Sequence, residues 1–126
     1  MDWTQLDEMA TQYAETALWS STNFDKEDSP LDDDYGIEDI DTDTLKQMVA
    51  DCADFHAAHH EILDTCEASL GQIGHDFWLT RCRHGAGFWD KPEMYIDQKT
   101  ADMLSDAARV YGNIDLMPDG NGKVVE

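Results

Sequence analysis

Apolar residues recur at helical spacing at the start of the chain, where Trp3, Leu6, Met9, Ala10, Tyr13 and Ala17 follow one another at intervals of three and four. Asp2 and Gln5 have the spacing of a capping box and "SSTN" at 20–23 breaks the pattern, so a first helix is expected between them. From 22 to 41 the periodicity disappears. "TNFDKEDSPLDDDYGIEDID" holds Pro30, Gly36 and many acids, with Phe24, Leu31, Tyr35 and Ile37 as its chief apolar anchors, and reads as a long acidic loop or partly ordered arm. A second helix is expected from a cap on Asp41 to about Leu70. On it Leu45, Met48, Val49, Cys52, Phe55, Leu63, Cys66 and Leu70 fall on one face, with Asp43, Asp51, Asp54, Glu61 and Asp64 opposite. At roughly 1.5 Å rise per residue, Asp43 and Asp64 would stand about 30 Å apart, close to one turn of B-DNA.

After "GQIG" the period changes. "HDFWLTR" and "GFWDK" have the alternation of two strands, joined around "CRHGAG", whose glycines permit a positive φ. A third helix is expected near Thr100, with Ala101, Leu104, Ala107, Ala108 and Tyr111 on one face and Gly112 as its stop. "NIDLMPDGNGKVVE" then reads as a second hairpin with a Gly-rich turn. The expected fold class is α+β: two N-terminal helices, then a β-hairpin, a helix and a β-hairpin, the hairpins forming a small antiparallel sheet. Residues 1–126 read as a single domain, without internal repeat.

Composition narrows the function classes. A chain of 126 residues with 41% hydrophobic positions can bury a small core. No apolar run approaches the roughly 18 residues that span a bilayer, and "MDWTQLDEMA" has neither the basic start nor the apolar stretch of a signal peptide. A cytoplasmic location is expected. Cys52, Cys66 and Cys82 are odd in number and read as reduced thiols. The net charge of −20 is unevenly spread, with 19 acids against Lys26 and Lys46 in residues 1–67, and 9 acids against 6 bases in residues 68–126. Such a field repels nucleic acid and anionic lipid and steers basic protein surfaces inward.

Chemical motifs are sparse. Cys52, His56, His59, His60 and Cys66 are types that bind metal, but they share the apolar stripe of helix two and read as core or half-buried side chains, so no metal and no cofactor is expected. "DDDYG" and "DLMPDGNGKVVE" both lack the ligand register of a calcium loop. Cys82 between Arg81 and Arg83 suggests a phosphatase-like loop, but Phe88 stands where that loop needs Arg. A small enzyme would have to use His75, Asp76, Arg81, Arg83 and His84 around the Gly-rich turn.

"ETALWSST", "DCADFH", "GHDFWLTRCRHGAGFWD" and the closing "YGNIDLMPDGNGKV" resemble a family of small acidic proteins encoded by tailed phages and prophages, a family without an assigned activity. Members resembling this chain need not carry Cys at position 82, which weakens a thiol mechanism. The resemblance implies a bacterial virus or mobile element and expression in the host cytoplasm. In that setting the expectation is a non-enzymatic inhibitor of a bacterial defence system, an anti-CRISPR or antirestriction protein. It would act as an acidic DNA mimic on a basic, nucleic-acid-binding host protein such as a CRISPR effector or restriction nuclease. The partner-binding residues would be Asp32, Asp33, Asp34, Glu38, Asp39, Asp43, Asp51, Asp54, Glu61 and Asp64, with the aromatic hairpin, Trp78 and Trp89 included, as scaffold. The alternatives are a non-catalytic phage accessory protein whose acidity serves solubility, and a small enzyme built on the Gly-rich hairpin.

Overall fold

A computed structural model describes residues 8–23, 29–83 and 86–126 of the chain. The sequence-derived capping box of Asp2 and Gln5, together with Trp3, Leu6, Phe24 and His84, lies outside these residues. Four α-helices dominate: α1 (Glu8–Ser20), α2 (Thr42–Thr65), α3 (Leu70–Arg81) and α4 (Gln98–Arg109). The described strands are two residues long. β1 (Thr22–Asn23) pairs antiparallel with β2 (Ser29–Pro30), and β3 (Met117–Pro118) with β4 (Val124–Val125).

The α+β expectation is corrected at residues 70–90. "HDFWLTR" is the body of α3 and "GFWDK" contributes a single 3-10 turn, Phe88–Asp90, so no hairpin forms there and the fold is mainly α. Burial explains the misleading pattern. In α3 the apolar Ile73, Phe77, Trp78 and Leu79 are buried, and so are the polar Asp76, Thr80 and Arg81. A helix enclosed on most sides has no solvent face to print a 3.6-residue polar period on the sequence. Gly74 serves close approach rather than a turn. A Cβ on Gly74 would stand 2.1 Å from the Met9 carbonyl oxygen of α1. Ala10, Ala14 and Ala17 are buried on α1 itself. The two helices run in the same direction, from Glu8 beside Gly71 to Ser20, whose hydroxyl accepts a 2.7 Å bond from the Trp78 indole.

Asp41 caps α2 by accepting from the Asp43 amide. The helix ends at Thr65 rather than near Leu70, because Ser69 opens α3 by accepting from the Gln72 amide at 3.1 Å. Within α2, His59 leaves helical geometry (φ −127, ψ 18) and kinks the axis. The core runs through a series of rings: Phe55 stacks on Phe77 at 4.4 Å and on Phe88 at 5.6 Å, and Phe88 meets Tyr95 edge-on at 4.9 Å. Asp97 caps α4 by accepting from the Thr100 amide at 2.8 Å, and Gly112 (φ 80) takes the left-handed conformation beyond its end.

The acidic stretch expected as a loop or partly ordered arm is pinned where it is described. Leu31, Ile37 and Ile40 are buried, and two 3-10 turns, Leu31–Asp33 and Ile37–Asp39, hold the chain between them. The C-terminal hairpin closes over this segment: Val124 is fully buried, bridges Ile40 in parallel, and accepts from the Asp41 amide at 2.8 Å. No described helix is long and apolar enough to cross a membrane.

Gly74→Ala is expected to destabilise the protein by about 1–3 kcal/mol, since backbone on both sides must separate. Gly71→Ala is the matched control. Its Cβ would find its nearest neighbour at 3.6 Å, and helix propensity then favours Ala by roughly 0.5–1 kcal/mol. Urea unfolding of the two variants measures both signs.

Candidate functional site

The charged side chains fall into two groups, one turned inward and one outward. The inward group centres on Arg81 and Asp76, both in the motif that the sequence marks as unusual. Arg81 is 4% exposed at the C-terminal end of α3 and uses most of its planar fork. One Nη donates to Asp51 at 2.7 Å and to the Tyr13 hydroxyl at 3.1 Å. The other Nη donates to the Tyr111 carbonyl at 2.7 Å, and Nε donates to the Gly112 carbonyl at 2.8 Å. The rings of Phe77 and Tyr111 lie within cation–π range of its guanidinium carbon, at 5.8 and 5.4 Å.

Asp76, fully buried, accepts from the Lys91 ammonium at 2.7 Å, the Tyr95 hydroxyl at 2.5 Å and the Gln72 amide at 3.0 Å. Its negative charge is thereby compensated in the interior, where an unpaired carboxylate would be costly. Thr80 completes the assembly. Its hydroxyl accepts from the Phe88 amide at 3.1 Å, and a Cβ at Gly87 (φ 153) would lie 2.1 Å from that oxygen. Gly87 and Phe88 therefore pack against the C-terminal half of α3.

These geometries separate His75, Asp76 and Arg81, three of the residues that an enzyme reading requires; His84 lies outside the described residues. His75 binds Thr16, Asp76 binds Lys91 and Tyr95, and Arg81 binds Asp51, so consecutive polar residues of the motif look toward different elements. The Thr16 hydroxyl donates its one proton to the Gln12 carbonyl at 2.8 Å. His75 Nδ1 shares a 2.9 Å hydrogen bond with the same hydroxyl oxygen. His75 borders an open cleft of about 360 Å³ with Gln12, Ser69 and Gln72, away from the buried Asp76. Burial pushes the Cys82 thiol up, opposite to the activation a nucleophile needs. Among the described residues no three His, Cys, Asp or Glu side chains are grouped to hold a metal ion.

The outward group is the acidic one. Asp32, Asp33, Asp34 and Glu38 are exposed on the pinned segment, and Asp43 is exposed in the first turn of α2, where the helix dipole favours its charge. Asp39 is partly withdrawn, its carboxylate accepting from the Gly36 amide at 2.9 Å. On α2 the expected row is corrected. Asp51, placed on the solvent face by helical periodicity, is largely covered by Arg81. Asp54 is exposed and accepts from the Tyr111 hydroxyl. Asp64 lies 4.0 Å from both His56 and His60. The His59 kink separates Glu61 and Asp64 from the straight portion that carries Asp43 and Asp54, so the 30 Å row is not one line. Periodicity could not reveal this, since it treats every position on a face as equally free.

Arg81→Met is expected to cost about 3–5 kcal/mol by leaving the largely covered Asp51 carboxylate with only Gln47 among its described donors and the Tyr111 and Gly112 carbonyls without their Arg81 donor. Asp32→Asn, on the exposed segment, is expected to stay within about 0.5 kcal/mol of the parent. Chemical denaturation of each variant reads the difference directly.

A pH dependence follows from the buried phenols. Burial first, and Asp76 next to Tyr95, raise the Tyr13 and Tyr95 hydroxyls above their ordinary value. The unfolded chain ionises these groups near pH ~10. Their contribution to stability is therefore complete below that pH and declines as pH rises above it. Ultraviolet titration is expected to show these two phenols ionising together with loss of the near-ultraviolet circular dichroism. Ionisation with the fold intact would contradict their burial.

No family model, curated protein or solved structure matches the chain, so its functional reading rests on the chemistry of these residues.

Proposed function

We propose that the protein is a non-enzymatic acidic decoy, encoded by a phage or mobile element, that occupies the nucleic-acid-binding surface of a basic host protein. The observation that carries the reading is the anchored acidic segment at 31–43. It holds Asp32, Asp33, Asp34, Glu38 and Asp43 exposed on a backbone fixed by buried Leu31, Ile37 and Ile40. Carboxylates imitate phosphates only when they stand in fixed positions, because a floppy arm loses ordering entropy on binding.

The placement of the bases supports the same reading. Of the 8 Lys and Arg residues, Arg81 and Lys91 are engaged inside the fold with Asp51 and Asp76. Few cations remain to offset the other acids. Lys123 donates to the Glu38 carbonyl at 3.4 Å. A surface of this kind attracts Arg- and Lys-rich grooves over a distance set by salt, about 8 Å at physiological ionic strength. Restriction nucleases and CRISPR effectors, which hold DNA through such grooves, are the partners this chemistry fits. Asp54, Glu61 and Asp64 extend the acidic surface along α2, whereas Asp51 does not belong to it.

The test uses the tagged protein to capture host partners, followed by binding of the purified partner across a salt series with DNA as competitor. Asp32→Asn, Asp33→Asn, Asp34→Asn and Glu38→Gln combined are expected to weaken binding about tenfold or more, equivalent to about 1.4 kcal/mol or more, without lowering the melting temperature. DNA and higher salt should displace the wild-type protein. Simultaneous binding of DNA and protein, or affinity indifferent to both salt and these four substitutions, would overturn the reading.

A further inference from the structure

The solvent face of α4 carries a pattern that neither the core nor the acidic surface explains. Met103 is 40% exposed and Val110, at the helix's C-terminal end, 86% exposed, while Ala101, Leu104, Ser105 and Ala108 fill the opposite, buried side. At 100° per residue Lys99, Met103, Asp106 and Val110 fall within about 60° of one another, so the line alternates cation, apolar, anion, apolar. Just before the Asp97 cap stands Ile96, 54% exposed and in the left-handed region at φ 78. A β-branched residue there is a genuine outlier, and here it sets an aliphatic side chain in water.

We propose that this face pairs with the same face of a second copy of the chain, the two α4 helices lying antiparallel about a two-fold axis beside Met103. The pattern is self-complementary in that arrangement. With Met103 of each copy at the axis, Val110 of one copy lies toward the N-terminal end of the other's α4, where Ile96 precedes the Asp97 cap. Lys99 comes within one residue of Asp106 at both ends, where Asp106 also lies 3.5 Å from Arg109 of its own helix. A two-fold axis requires such reciprocity, in which residue i meets j and j meets i. The reverse, parallel arrangement would set Lys99 on Lys99 and Asp106 on Asp106. Asp102 lies to one side of the line and is held along its own helix by the Gln98 amide at 2.8 Å.

Charge favours a second copy here rather than elsewhere. α4 belongs to residues 68–126, with 9 acids and 6 bases, whereas residues 1–67 hold 19 acids and 2 bases. Contact through α4 joins the less acidic halves of the two chains and is independent of the acidic segment proposed to meet a partner. One 12-residue helix is a small interface, at the low end for specific association, so the dimer is concentration-dependent. Salt acts on it with the opposite sign from partner binding: screening the like-charged bodies strengthens an apolar contact.

Sedimentation equilibrium over a concentration and salt series tests this on the full chain. The wild type is expected to rise from 14.3 kDa toward twice that mass, more readily at high salt. Met103→Glu should stay monomeric with an unchanged circular dichroism spectrum, since the side chain is exposed. Lys99→Asp and Asp106→Lys should each weaken the dimer about tenfold, and the double reversal should restore it. A wild type monomeric at every concentration, a dimer unaffected by Met103→Glu, or a double reversal no better than the single ones would overturn the proposal.

Discussion

One guanidinium ties the four helices together. Arg81 ends α3 and there reaches Tyr13 of α1, Asp51 of α2 and the two carbonyls that follow α4. The carbonyls at the end of a helix lack partners of their own, and an inward-pointing cation supplies them. Each contact holds one element at a fixed distance from α3, so the ring stack of Phe55, Phe77 and Tyr111 is assembled against a common post. A buried ion pair is weak support for stability in itself, since desolvation offsets much of the attraction. Its value here is register: an apolar residue in place of Arg81 would fill the space without specifying which turn of α2 faces α3.

That arrangement also sorts the charges. A strongly acidic chain must still fold, and its acids repel one another most where they are crowded. Among the described residues the Asp76 carboxylate is fully buried and that of Asp51 largely covered, each beside a cation. The acids of the 31–43 segment are held outward instead, by a backbone whose apolar anchors point down. Stability and surface field therefore depend on different residues, and changes to one group leave the other largely intact.

Legibility in the sequence followed solvent contact. α1, the Asp41 cap, α4 and the terminal hairpin each have a wet side or an exposed turn, and their polar positions mark it. α3 does not. Its polar residues Asp76, Thr80 and Arg81 are inside, its glycines face α1, and its local pattern resembles strand alternation. The same limit affected the site. Asp32, Asp33, Asp34 and Glu38 are exposed as their local sequence suggests, whereas the burial of Asp51 depends on an arginine thirty positions away. The His59 kink has no proline or glycine to announce it.

The carboxylate of Asp76 bears on how the chain holds this structure. The residues from 86 to 97 contain only one 3-10 turn of regular structure, yet Lys91 and Tyr95 both close on Asp76 and Phe88 stacks beneath. Nothing in that segment nucleates order by itself, and its polar side chains find their geometry only around an acceptor already in place. Order in the stretch from 86 to 97 is therefore tied to the buried carboxylate of α3, so that loss of that one acceptor would release a segment far from it in sequence.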